Sequence, residues 1–247
     1  MLGPVSNLQS DHIRPTAQIA PDVILPGDPG RALALAQSLL ESPLMSNHNR
    51  GLWGYSGRRP TGETLTIQAS GIGGPSLAVV AEELAQHGAR RIVRLGTCRA
   101  LDPSLRLGEV LIVGAAAAEE GASRALGAER FAEPDPTLHA ALVAVAGGRA
   151  REATVVSTDL AYGLPEPDGG GAEALAADLG TATLFAWGRG KGLAVAAGLV
   201  VTVVGGERLG DERLEGVSLE LGEAMATALA RSPQPSEAPG SETGAPA

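Results

Sequence analysis

The chain is poor in several residue types, and each shortage excludes something. One cysteine, Cys98, in 247 residues rules out an intramolecular disulfide and a multi-cysteine zinc site. Aromatic residues make up 2% of the chain, so the core must be built from aliphatic side chains. Lys191 is the one lysine among 19 basic residues, a bias that a GC-rich genome explains as well as any function does. Net positive charge is missing too. A formal charge of −9 argues against a broad nucleic-acid or anionic-membrane surface, because both need clustered cations, although a small anion can still bind a local basic pocket. The longest strongly apolar run, at 193–204, is too short to span a bilayer and reads as a buried strand. Residues 1–11 lack the basic segment and apolar stretch of a secretion signal, and with the lone cysteine this points to the cytoplasm.

Familiar cofactor motifs are missing as well. His12, His48, His87 and His139 are dispersed without metal-ligand spacing, so no metal is expected. In Gly71-Ile72-Gly73-Gly74-Pro75-Ser76 the sixth position is Ser76, and the next strand ends in Arg94-Leu95-Gly96 where a dinucleotide site needs an acid. Lys191 has no Walker context, and no Gly-x-Ser-x-Gly elbow occurs. Cys98 could be a nucleophile, but without a histidine partner in the sequence the inert, buried reading is preferred.

What is present is an alternation. Runs rich in Val, Ile and Leu at 22–26, 63–69, 91–96, 109–114, 153–157 and 193–204 predict strands. Helical composition predicts helices at 29–41, 75–88, 135–147, about 171–190 and 211–231. The pattern predicts one α/β domain over 1–231, a mostly parallel sheet with helices on both faces. Pro75 suits the start of its helix, His87 its end, and His139 a helix surface. The run from Gly188 to Gly192 reads as a helix-to-strand loop, and residues 232–247, rich in Pro, Ser, Gly and Ala, as a disordered tail.

Two clusters carry the chemistry: Gly27-Asp28-Pro29-Gly30-Arg31 after the first apolar run, and Arg94-Leu95-Gly96-Thr97 after Arg91-Ile92-Val93. An arginine beside exposed backbone N–H groups at a strand end is a place to hold phosphate, since charge and amide dipoles converge there. Asn47-His48-Asn49-Arg50-Gly51-Leu52-Trp53-Gly54-Tyr55-Ser56-Gly57 adds a third arginine in a turn-rich setting.

Taken in order with the Gly71 to Ser76 stretch, these strings resemble the nucleoside phosphorylases of the purine and uridine phosphorylase family, and the resemblance covers most of the chain. It implies a central mixed β-sheet flanked by helices, assembled as a homodimer or trimer of dimers with shared active sites. It also implies a reaction without an organic cofactor, in which inorganic phosphate is the co-substrate and attacks C1′ of a nucleoside. Phosphate would be held by Gly27, Arg31, Arg94 and Thr97, with Arg50 reaching into a neighbour's site. His12 would touch the ribose of the adjacent site, although by residue type alone it is a solvent-exposed histidine. Ile72, Tyr162, Leu179 and Gly180 would border the nucleoside.

The sugar and base side departs from the family pattern. Gly180 stands where the resemblance implies a ribose-binding glutamate, leaving Asp178 or Glu173 as nearby substitutes. Ala161 replaces a base-packing phenylalanine in Ser157-Thr158-Asp159-Leu160-Ala161-Tyr162. The family's Ser-Asp or Ser-Asn pair is missing from Val203-Val204-Gly205-Gly206-Glu207. Asp159, Glu207 and Asp211 are therefore candidate catalytic groups, and equally a loop brace, a solvated turn and a helix cap. Arg99, where glycine is usual, narrows the pocket, meets an anionic group or turns outward. The expected activity is phosphorolysis of uridine or a purine nucleoside. A degenerate binding or assembly subunit and a hydrolytic nucleosidase are the alternatives.

Overall fold

A computed structural model describes residues 10–162 and 174–233. The chain begins with β1 (Asp22–Pro26), buried along its whole length as a central strand must be, and turns into α1 (Pro29–Leu39). Asp28 caps that helix, its Oδ1 accepting the Arg31 N–H at 2.7 Å, and Pro29 supplies a first helical residue that needs no donor. There follow β2 (Glu41–Asn47), β3 (Gly54–Arg58), β4 (Thr64–Gln68) and α2 (Gly73–Gln86). The middle holds β5 (Arg91–Ala100), β6 (Val110–Ala118), α3 (Gly121–Ala125), β7 (Phe131–Ala132), α4 (Pro136–Ala146) and β8 (Ala150–Ser157). The last elements are β9 (Ala174–Asp178), α5 (Thr181–Lys191), β10 (Ala194–Val204), β11 (Glu207–Arg208) and α6 (Asp211–Arg231).

The strands form one mixed sheet in the order β11-β10-β6-β8-β9-β5-β1-β4-β3-β2, with β7 on β6. An additional pairing of β10 with β5 closes β5, β10, β6, β8 and β9 into a ring, from which β1, β4, β3 and β2 extend as an open wing. The expectation of a mostly parallel sheet is corrected: among the described residues five pairings are parallel and six antiparallel. One aliphatic core lies under α2 and α5 with Leu77, Ile92 and Phe185. The other lies under α1, α4 and α6 with Leu35, Leu142 and Met225.

Four other expectations change. The helix expected over 171–190 is strand β9 through Ala174–Asp178 and helix from Thr181, because pairing with both β8 and β5 overrides the helical preference of Ala and Leu. Gly188 to Lys191 form the last turns of α5, not a loop. A Cβ at Gly188 would collide with Val195, so glycine lets the helix lie on β10, and Gly192 at φ 65° ends it. His139 is tucked against β8, its Nε2 3.0 Å from Glu152 Oε1 and its side chain 15% exposed. Ser232, assigned by sequence to the tail, is buried and accepts from Arg91 Nη1 at 2.7 Å through its carbonyl. Residues 234–247 of the expected tail lie outside the described residues.

Candidate active site

Strand order brings the phosphate loops together. β1 and β5 are parallel neighbours with Leu25 opposite Arg94 and Pro26 opposite Leu95, so Gly27 leaves the sheet beside Gly96. On the other side of β1, the Ser70 N–H donates to Pro26 O at 2.8 Å and the Gly71 N–H to Gly27 O at 3.1 Å, which ties in the loop after β4. The junction between β9 and α5 closes the group: a Cβ built at Gly180 would lie 3.5 Å from the Gly74 nitrogen. Gly27, Arg31, Ile72, Arg94, Leu179 and Gly180 thus gather at the carboxyl edge of the parallel strands, where open α/β sheets bind ligands.

Arg31 and Arg94 lie near enough there for their charges to act on one another. Burial most of all, opposed by Asp28 and assisted by the positive charge of Arg94, lowers the Arg31 pKa from its usual value. Two partly desolvated guanidinium groups that repel one another are a strain that a bound anion would relieve. Arg94 is 8% exposed. Its Nε donates to Thr181 Oγ1 at 3.3 Å and its Nη2 to Asp178 Oδ2 at 3.2 Å. Thr97 is half-buried on β5, opposite Val200. Strand alternation sets it on the face of Val93 and Leu95, opposite Arg94.

The amino end of α5 is closed by side chains. Asp178 accepts from the N–H groups of Gly180 and Thr181, Ser157 Oγ from Ala182 at 2.9 Å, and Glu120 Oε1 from Thr183 at 2.7 Å. With its first N–H groups paired, this helix end has none of them to offer an anion. Sequence reading missed Glu120, whose signal was a carboxylate at the end of an alanine-rich strand. It is fully buried, its Oε2 has no partner, and burial raises its pKa to about 7 against the Thr183 bonds, with help from the charges of Asp178 and Asp159. Gly74 is required beside it, since a Cβ there would collide with Glu120 Oε2 and Thr183 Oγ1.

His12 and Arg50 share a second patch. Glu83 on α2 accepts from Ser10 Oγ at 2.8 Å, His12 N at 2.9 Å, Ile13 N at 2.6 Å and His12 Nδ1 at 2.7 Å. Burial raises its pKa, but the donors from Ile13, His12 and Ser10 outweigh this and hold it at about 2. Facing an ionised carboxylate, Nδ1 carries the proton, which leaves Nε2 as the polar atom His12 has for a ligand. Asn49 Nδ2 donates to Asp11 O at 2.9 Å and His12 O at 3.2 Å, fastening the turn Asn49–Gly51 to this segment. Arg50 stands exposed in that turn with φ 56°, a left-handed conformation unusual for arginine.

The weaker candidates separate. Asp159 Oδ2 accepts the Gly121 N–H at 3.0 Å, joining the loops after β8 and β6. Glu207 is exposed on β11, in a hairpin turned by Gly205 and Gly206, both at positive φ. Asp211 opens α6 and lines a 340 Å³ cleft with Asp28, Arg31, Glu215 and Ser218. Tyr162 is 82% exposed at the edge of the described residues, and Glu173 lies outside them. Asp178 is no substitute acceptor near Gly180, because its side chain is fully buried and its oxygens are taken by protein donors. Arg99 is half-buried in β5 at its pairing with Ala177 of β9. Cys98 is buried, and desolvation, followed by the charge of Asp178, drives its pKa upward, away from thiolate chemistry. Among the described residues no cluster of three or more His, Cys, Asp or Glu is placed to hold a metal, and no helix is long and apolar enough to cross a membrane.

A family model described as the phosphorylase superfamily matches residues 21–204. The purine nucleoside phosphorylase DeoD-type of Geobacillus kaustophilus (strain HTA426) is 36% identical over 110 residues, 44% of this chain and 46% of its own length. That of Brevibacillus brevis (strain 47 / JCM 6285 / NBRC 100599) is 36% identical over 110 residues with the same shares. That of Jannaschia sp. (strain CCS1) is 40% identical over 95 residues, 38% of this chain and 40% of its own. The chain thus spans about half the length of the curated relatives it matches.

Proposed function

Because the chain belongs to the phosphorylase superfamily, we propose that it is a nucleoside phosphorylase acting on purine nucleosides. Phosphate attacks C1′, the bond to the base breaks, and ribose 1-phosphate and the protonated base are released. The observation that carries this reading is the convergence of Arg31 and Arg94 beside Gly27 at the sheet edge. Fixed cations there align the attacking oxygen and place a dianion against the positive charge that develops on the sugar. Inorganic phosphate is the co-substrate and no organic cofactor takes part. His12 and Arg50 serve the site of a neighbouring subunit, so the active form is a homo-oligomer.

Base release from purine nucleosides and uridine, followed by chromatography with and without phosphate, tests the reading. Phosphate-dependent release is expected, falling by roughly a hundredfold or more in kcat/KM for Arg31→Ala or Arg94→Ala, with little recovery in Arg94→Lys. Phosphate-independent release would make the protein a hydrolase. Silence across the panel with phosphate still bound would favour a non-catalytic binding subunit. That second reading draws support from Gly180 and from the full engagement of Asp178 within the protein.

A further inference from the structure

We propose that Asp178 is a positioning residue that, with Thr181, holds the Arg94 guanidinium in the orientation that receives phosphate. The inference rests on Arg94 being a phosphate ligand. Arg94 is gripped at two different nitrogens, Nε by Thr181 Oγ1 at 3.3 Å and Nη2 by Asp178 Oδ2 at 3.2 Å. Contacts at two nitrogens of a planar fork fix both its position and the tilt of its plane, and neither contact uses Nη1.

The holder is itself rigid. Asp178 Oδ1 accepts from Ser157 Oγ at 2.5 Å, and Oδ2 from Thr181 Oγ1 at 2.6 Å and from the Thr181 N–H at 3.1 Å. These donors, with the Gly180 N–H at 3.3 Å, satisfy the carboxylate without Arg94, so the ion pair orients the arginine more than it stabilises the acid. Gly96 adds no side chain here: a Cβ there would collide with Leu199 Cδ2 at 2.5 Å and lie 3.1 Å from both Nε and Nη2 of Arg94. Ser157, Asp178 and Thr181 come from β8, β9 and α5, so the grip assembles only when the ring of strands has closed.

Charge and orientation predict opposite results, and this gives the test its force. A negative charge beside Arg94 weakens the field on an incoming dianion, so if Asp178 acted through charge alone, Asp178→Asn would tighten phosphate binding. If it acts by orientation, the same change weakens binding. Titration calorimetry with inorganic phosphate on the full chain, with a thermal melt of every variant, separates the two. Asp178→Asn and Thr181→Val are expected to raise the phosphate Kd roughly tenfold, while Thr181→Ser, which keeps the hydroxyl, stays near wild type. Should Asp178→Asn fail to fold, the Val and Ser variants at Thr181 decide the matter. Tighter or unchanged binding in folded Asp178→Asn, or equal affinity in Thr181→Val and Thr181→Ser, overturns the proposal while leaving Arg94 as a ligand. Unchanged binding in Arg94→Ala removes the phosphate assignment itself, and the positioning role with it.

Discussion

Gly180 and Glu120 show how far single positions shape this site. Gly180 has φ −178°, outside the left-handed region, and a Cβ there meets Gly74, Leu77 and Gly73 at ordinary contact distances of 3.5 to 3.6 Å. Gly180→Glu should therefore fold with a wild-type melting temperature. If the sugar lacks an acceptor, the new carboxylate raises kcat/KM for ribonucleosides by roughly ten- to a hundredfold, the value of one charge-assisted hydrogen bond. An intact fold with unchanged kcat/KM would mean that the sugar is held elsewhere. Glu120 titrates at about 7 in the folded protein against an ordinary 4.5. The folded state therefore keeps a proton that the unfolded chain releases between those values, so its contribution is complete below pH 4.5 and declines as pH rises to 7. Glu120→Gln removes this term. Melts between pH 5 and 8 should show wild type losing stability relative to the variant up to about pH 7, and parallel curves would refute the assignment.

Elements are joined by a few buried charges. Arg91 on β5 makes a bidentate pair with Asp22 on β1, Nε to Oδ1 at 2.7 Å and Nη2 to Oδ2 at 2.6 Å, and its Nη1 holds the residues after α6. Asp22→Ala leaves a buried guanidinium short of its partner and should cost about 3 kcal/mol in urea unfolding. A loss below about 1 kcal/mol would mean that the Ser232 contacts suffice. The segment before β1 depends on Glu83. Because its folded pKa is depressed to about 2, its contribution is complete above pH 4.5 and fades as pH falls toward 2. Amide protection factors in residues 10–14, taken against the intrinsic exchange rate at each pH, should fall over that window in wild type, and already at pH 7 in Glu83→Gln. Slow exchange in the variant at pH 7 would refute the role of Glu83. β1, α1, β10 and α6 were legible from apolar runs and helical composition, since these signals act over a few residues. β2, β3 and β9, with sequences such as Glu-Ser-Pro-Leu-Met-Ser-Asn, carry little β preference and are strands because partners pair with them.

The sheet is a closed ring with an open wing, and the proposed anion site lies where β1, first strand of the wing, meets β5 of the ring. His12 and Arg50 are held together on one surface by Asn49, and the proposed role of both is to serve a neighbouring subunit. If they do so, Arg50→Ala and Arg94→Ala, each nearly inactive alone, should regain activity when mixed and allowed to exchange subunits, because some mixed oligomers contain one complete site. No recovery in verified mixed oligomers would place Arg50 outside the catalytic site.

The sequence alone determined the α/β class, the aliphatic core and both arginine clusters, because apolar runs, glycine turns and charge are local properties of the chain. Tertiary structure decided that the sheet closes into a ring, that Arg31 and Arg94 come within reach of each other's charge, and that Asp178, 84 positions from Arg94, grips it. Those contacts come from strand pairing across long separations, where the residues that meet leave no mark in each other's neighbourhood.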